Sequence, residues 1–222
     1  GNVVDLRNNF WGDKTGPTHS SNPDGVGDIV SDNIPFSPFL KFDPLIPQRN
    51  PVILIPGITG TYLNKNYDDK SEIWPNVGKM FLNIEDNFLN EISLNTDGTE
   101  RSEYPIVPGD IIRGISTVHV FDGLIEELTK AGYVEGTDLF VFPYDWRFST
   151  GSTAKLLKEK IDKIILDTGY ENVDIIAHSM GGLVAKKYIA DYGEDKIDQL
   201  IFLGTPQLGA PKALKVLTFG DN

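Results

Sequence analysis

The sequence predicts an α/β fold built on a mostly parallel sheet flanked by helices, and three observations carry that expectation. Short unbroken apolar runs recur along the chain, stretches with helical apolar spacing separate them, and Gly or Pro closes most of these segments. A strand buried on both faces of a parallel sheet reads as a continuous apolar run, and parallel neighbours need a crossover, usually a helix. Strands alternating with helices therefore imply a parallel sheet.

The elements follow in order from Pro51. Val52-Ile53-Leu54-Ile55 is an apolar run ended by Pro56-Gly57, as a doubly buried strand requires. Leu124, Ile125, Leu128 and Ala131 form a helical stripe closed by Gly132. Leu139 to Phe142 is a second strand, and Leu157, Ile161, Ile164 and Ile165 mark a helix stopped by Gly169. Val173 to Ala177 is a third strand. Leu183, Val184, Tyr188 and Ile189 form the inner face of the next helix, and Ile197 to Leu203 is a fourth strand. The stretch 64–110 interrupts this rhythm with ten acidic and four basic residues. A helix is expected around Met80 to Leu94. So long an insertion between sheet strands reads as part of a lid or cap, or as a solvated excursion.

Residues 1–50 have a different texture. Val3-Val4-Asp5-Leu6 predicts a short strand, followed by Asn8-Asn9-Phe10-Trp11-Gly12 and a run of turn formers that includes Thr15-Gly16-Pro17 and Asn22-Pro23-Asp24-Gly25. There is too little periodic apolar content for an independent core. The segment resembles the last coil, cap and linker of a right-handed parallel β-helix, and a single coil cannot bury its own face, so further coils are expected before Gly1. An irregular extension is the alternative. Asn22, Asp24 and Asp28 are oxygen donors of the kind calcium takes, but turn chemistry accounts for them, and no metal is expected.

Composition narrows the chemistry. The 222 residues carry a net charge of −12, and an acidic surface repels phosphate backbones, so nucleic-acid binding is not expected. No apolar run approaches the roughly 18 residues of a membrane-spanning helix. The absence of cysteine excludes disulfides, thiolate catalysis and Cys-ligated zinc. The three histidines are His19, His119 and His178.

The most specific signal is Ala177-His178-Ser179-Met180-Gly181-Gly182. It matches the Gly-x-Ser-x-Gly nucleophile elbow with Ala in place of the first Gly, and it sits between an apolar run and a helical stripe, as that motif demands. Small residues two before and two after the serine are needed where a strand turns sharply into a helix and lifts the serine Oγ above the sheet edge. Ser179 is the candidate nucleophile. The backbone N–H of Met180, at a helix N-terminus, is one candidate oxyanion donor. The second is expected from the loop after an earlier strand, Ile55-Pro56-Gly57-Ile58-Thr59-Gly60.

Residues 51–222 resemble the lecithin:cholesterol acyltransferase family. The matching stretches are Pro51 to Gly57, Ile73-Trp74, Val107-Pro108-Gly109, Ala131-Gly132-Tyr133, Pro143-Tyr144-Asp145-Trp146-Arg147, the serine elbow and Leu203-Gly204-Thr205-Pro206. The resemblance implies an α/β-hydrolase fold, Ser179 as nucleophile, Ile58 and Met180 as oxyanion donors, and fatty-acyl esters as substrates without a cofactor. Tyr144, Asp145, Trp146 and Arg147 fall in a family signature beside the site, with Asp145 and Arg147 read as structural. The chain departs from the family in two respects. Animal members clamp the lid with a disulfide that a Cys-free chain cannot form. The fold also orders its triad as serine, acid, histidine, and no histidine follows Ser179. The sheet is therefore expected to be incomplete at its C-terminus, with the acid and the histidine downstream of residue 222. His178 is read as packing, His119 precedes the serine and lies before a helix with a catalytic role left open, and His19 is read as a loop residue.

Two functions lead on this reading, ahead of another α/β-hydrolase activity such as a thioesterase or peptidase, which a substrate panel would separate. The first is a serine-dependent acyl hydrolase or O-acyltransferase acting on lipid esters, with transient contact to a lipid surface and an extracellular or cell-surface setting. The alternative is a non-catalytic adhesin or glycan-binding protein with a degenerate hydrolase domain. A correctly placed downstream acid and histidine would separate them.

Overall fold

The computed structural model describes residues 4–41, 43–44, 49–65, 71–76, 78, 87–101, 103–115, 118–211, 213 and 215. The chain divides into two compact units, Gly1–Asn50 and Pro51–Asn222.

The first unit is mostly turns. Its strands β1 (Pro17–Thr18) and β2 (Gly27–Ile29) pair in parallel, Pro17 opposite Gly27 and Thr18 opposite Ile29. The Asn22 side chain donates to the carbonyls of Thr15 and Pro17, both at 2.9 Å, so it closes the turn between the strands. Val30 and Phe36 are its buried apolar residues. Val3 lies outside the described residues, and Val4 to Leu6 form no strand. There the Asp5 carboxylate accepts from the Arg7 backbone at 3.0 Å and from its guanidinium, a local bond that competes with a ladder. One pair of two- and three-residue strands does not make a β-helix coil, and that expectation gains no support.

In chain order the second unit contains β3 (Val52–Ile55), β4 (Thr61–Lys65), β5 (Glu72–Trp74), a 3-10 turn (Asn87–Glu91), β6 (Ile106–Ile111), β7 (Gly114–Ile115) and β8 (Val118–His119). Then come α1 (Asp122–Lys130), β9 (Leu139–Val141), α2 (Thr150–Thr168), β10 (Val173–His178), α3 (Met180–Tyr192) and β11 (Ile197–Leu203). The main sheet has the order β11-β10-β3-β9 and is parallel throughout.

All four residues of β3 are buried, and period-two alternation divides them between two layers. Ile53 and Ile55 pack with Leu157 and Ile161 of α2 and with Val184 and Tyr188 of α3. Val52 and Leu54 pack on the other face with Phe121 and with Ile125 of α1. Local chemistry sets the limits of α2: Ser149 Oγ accepts from the Ser152 N–H at 3.2 Å, and Gly169 ends the helix at φ +79°, its N–H on the Ile165 carbonyl at 2.8 Å. On β11, Ile201, Phe202 and Leu203 remain 45%, 38% and 38% exposed. Among the described residues no helix is long and apolar enough to cross a membrane.

The 64–110 stretch differs from its expected character. β4, β5 and β6 form an antiparallel sheet in the order β5-β4-β6, with Leu63 opposite Trp74 and Lys65 opposite Ile106. Leu63, Ile73, Ile92 and Ile106 give it a small core. Pro108-Gly109 lies inside β6, beside a register irregularity in its pairing with β4. Of the helix expected at Met80 to Leu94, residues 80–86 lie outside the described residues. Beyond them only a single 3-10 turn forms, with the Ile92 N–H on the Leu89 carbonyl at 3.1 Å. Ser93 Oγ donates to the Asn90 carbonyl at 3.0 Å, a local bond of the sort that ends helices.

Candidate active site

β10 ends at His178 and α3 begins at Met180, leaving Ser179 between them at φ +50°, ψ −123°. A residue with a Cβ pays of order 1–3 kcal/mol to sit in such a conformation, so its surroundings must hold it there. They do so on both sides. The Ser179 N–H donates to the Leu203 carbonyl at 2.9 Å, and the Ser179 carbonyl accepts from the Gly182 N–H at 3.1 Å. Gly181 lies so close to the end of β3 that a Cβ there would fall 2.7 Å from the Ile55 carbonyl oxygen and against that of Pro56. The small residue after the serine is therefore a packing requirement between α3 and β3.

The loop after β3 meets the serine directly. A Cβ on Gly57 would lie 2.8 Å from Ser179 Cβ, 3.3 Å from Ser179 Oγ and 3.2 Å from His178 Nδ1. The segment that carries the Ile58 N–H thus presses its backbone against the candidate nucleophile. Its carbonyls are consistently occupied. Pro56 accepts from the Tyr144 hydroxyl at 2.9 Å, Gly57 from the Gly60 N–H at 3.1 Å, Thr59 from the Trp74 indole at 3.0 Å, Gly60 from the Ile112 N–H at 2.8 Å and Thr61 from the Trp146 indole at 3.2 Å. Thr59 Oγ1 donates to the Ile58 carbonyl at 2.6 Å. On the opposite side Met180 opens α3, where the first amides have no carbonyl one turn back to receive them.

The remaining predicted residues sort by place. His178 is at the end of β10, its ring edge-on to Phe121 with centroids 5.8 Å apart. An apolar cavity of about 380 Å³ borders it, lined by Val120, Phe121, Leu124, His178 and Leu203. His119 pairs through its backbone with Gly114 between β7 and β8. His19, in the first unit, is engaged by Ser21 Oγ at 2.7 Å and Asp32 at 3.1 Å. Asp145 and Arg147 form a buried pair at 2.6 Å, and Arg147 extends to Glu100 at 2.9 Å and to the Ile92 carbonyl at 3.2 Å. Among the described residues no three His, Asp or Glu side chains cluster as metal ligands do.

Tyr144, Trp146 and Trp74 are the residues whose part in the site the sequence understated. All three are polar-tipped aromatics, and a buried indole or phenol needs a hydrogen-bond partner. That need is a readable signal, but the partner lies up to 88 positions away. Tyr144 is almost wholly buried, which pushes its phenol above its ordinary pKa and keeps it a neutral donor.

A parallel sheet with helices on both faces, a strained serine between strand and helix, and a neighbouring glycine loop pressed on that serine define an α/β domain with the strand–turn–helix elbow. Residues 108–222 match the family model described as Lecithin:cholesterol acyltransferase. The chain belongs to that family, whose fold is the α/β-hydrolase. It is 29% identical to "Lecithin-cholesterol acyltransferase-like 4" of Arabidopsis thaliana, over 74% of this chain and 35% of that protein. It is 30% identical to "Phospholipase A(1) LCAT3" of the same plant, over 75% of this chain and 43% of that protein. With "Lysosomal phospholipase A and acyltransferase" of Homo sapiens it shares 30% identity, over 82% of this chain and 53% of that protein. The chain thus spans about a third to a half of the length of these relatives.

Proposed function

We propose that this chain supplies the nucleophile and the oxyanion donors of a serine acyl hydrolase or O-acyltransferase that acts on fatty-acyl esters of lipids. Ser179 Oγ adds to the ester carbonyl carbon as its proton passes to a histidine base. The carbonyl π pair moves onto oxygen, where the Ile58 and Met180 N–H groups receive it. Collapse breaks the bond to the alcohol, which takes the proton from the histidine, and leaves an acyl-Ser179. Water or a lipid hydroxyl then adds to the acyl carbon, its proton passing to the histidine and from there to Ser179 Oγ as the bond between the acyl group and the serine breaks. We take neither His178, which packs on Phe121, nor His19, which is engaged by Ser21 and Asp32, as that base.

The observation that carries the reading is Ser179 at φ +50° with the Gly57 backbone against its Oγ. Strain at one residue, held by close packing from a second strand, is what an exposed nucleophile on a turn needs. The names of the relatives, phospholipases and acyltransferases, support lipid esters as the substrate class. The apolar cavity beside the elbow suits an acyl chain. Such substrates sit in lipid aggregates, so the proposal includes transient contact with a lipid surface and a secreted or lumenal setting.

A fluorophosphonate probe and phosphatidylcholine vesicles test it on the full-length protein. Covalent labelling and fatty-acid release are expected, and both are expected to vanish in Ser179→Ala. Labelling that survives that substitution, or a wild-type protein inert in both assays, overturns the proposal.

A further inference from the structure

We infer that Trp74 is a positioning residue for the oxyanion loop: its indole N–H, donated to the Thr59 carbonyl, fixes the direction of the Ile58 amide. The inference rests on the proposed acyl-transfer reading and adds to it a residue from the 64–110 insertion, outside both the elbow and the loop.

Thr59 has φ +63°, in the left-handed region. That region is rare for residues with a Cβ and a genuine outlier for a β-branched one, so some contact must hold the residue there. Gly60 N–H closes a turn onto the Gly57 carbonyl at 3.1 Å, which ties the peptide that carries the Thr59 carbonyl to the peptide that carries the Ile58 N–H. The Trp74 indole, 3.0 Å from the Thr59 carbonyl, anchors the first of these two peptides from outside the loop. Thr59 Oγ1 bonds the Ile58 carbonyl at 2.6 Å, so the orientation of residue 59 passes to the peptide on its N-terminal side and to residue 58.

Trp74 is itself held. Its ring meets Trp146 edge to face with centroids 5.4 Å apart, and the Trp146 indole bonds the Thr61 carbonyl at 3.2 Å. Trp74 also ends β5, whose register places it opposite Leu63 of β4. Two indoles in contact thus grip carbonyls two residues apart in the same loop.

The test removes the N–H and keeps the shape. In the full-length protein, Trp74 is replaced site-specifically by β-(3-benzothienyl)alanine, in which sulfur takes the place of the indole N–H, and in parallel by Phe. The readouts are steady-state hydrolysis of p-nitrophenyl butyrate, the rate of fluorophosphonate labelling and the melting temperature, with Ser179→Ala as control. We expect kcat and the labelling rate to fall about tenfold or more in both variants, because a misdirected donor acts on the transition state. KM and the melting temperature of the benzothienyl variant should stay near wild type. The Phe variant checks the ring, and if it does not fold the isosteric variant still decides the matter. A benzothienyl variant with kcat within about twofold of wild type overturns the inference. So does a rise in KM at unchanged kcat, which would mark Trp74 as a substrate contact. Turnover that survives Ser179→Ala instead overturns the acyl-transfer reading, and is distinguished from both by that control.

Discussion

Gly57→Ala offers the sharpest test of the contact between the two loops. The added Cβ would stand 2.8 Å from Ser179 Cβ, whereas carbon atoms in contact prefer about 3.5–4.0 Å. A displacement of roughly 0.7–1 Å must therefore be shared between the loop and the serine. Rotation of Ser179 cannot relieve it, because the clashing atom is the Cβ, fixed to a backbone already at φ +50°. The Pro56 carbonyl is tied to Tyr144 and that of Gly60 to Ile112, which limits retreat on the loop side. Misplacing a reacting group by about 1 Å costs on the order of 10²-fold in rate, and overpacking costs about 1–3 kcal/mol in stability. We expect fluorophosphonate labelling and ester hydrolysis by the full-length variant to fall about a hundredfold while it stays folded by circular dichroism. A folded variant with activity within about threefold of wild type would refute the argument that Gly57 is required by its approach to Ser179.

Three further outcomes follow from the same structure. Arg147→Ala leaves the carboxylates of Asp145 and Glu100 without their shared cation, one of them almost fully buried, and should lower the unfolding free energy by about 3–5 kcal/mol in denaturant titration. Gly123→Ala lies in α1 with nothing within 4 Å of the added Cβ and an ordinary φ, and should raise stability by about 0.5 kcal/mol, seen as a small gain in melting temperature. Arg113 holds the Glu135 carboxyl below its usual pKa through hydrogen bonds at 2.8 and 3.0 Å. Its contribution is therefore present at neutral pH and lost as pH falls through the lowered folded-state value, so Glu135→Gln should flatten the loss of stability below about pH 4.5.

Val52 to Ile55 was legible because burial on both faces leaves no room for polar residues, and the other three strands of the main sheet were legible from apolar runs broken only by residues such as Asp174, Asp198 and Gln199. The strand–turn–helix at Ser179 was legible because it needs small residues at fixed offsets. The β4–β6 sheet was not. Its strands are short, bear acidic residues such as Glu72 and Asp110, and include Pro108-Gly109, so neither alternation nor an apolar run marks them. The 3-10 turn at Asn87–Glu91 shows a related limit, since it is the only part of the helix expected at Met80 to Leu94 that the described residues carry. Trp74, Tyr144 and Trp146 were visible only as members of matched stretches. An indole or a phenol announces that it needs an acceptor, but only the folded chain says which one.

The loop from Pro56 to Thr61 holds only part of its conformation by itself, through the Gly60 bond to Gly57 and the Thr59 bond to Ile58. Four of its carbonyls are tied by residues 74, 112, 144 and 146, which come from three separate segments of the chain. Grafting these six residues with the serine elbow onto another parallel sheet would carry over the glycines and leave the clamps behind. The same dependence bears on drift among relatives. A substitution at position 74 or 146 can deform the loop while every residue of the loop stays the same, so a short-pattern search would count such a sequence as intact.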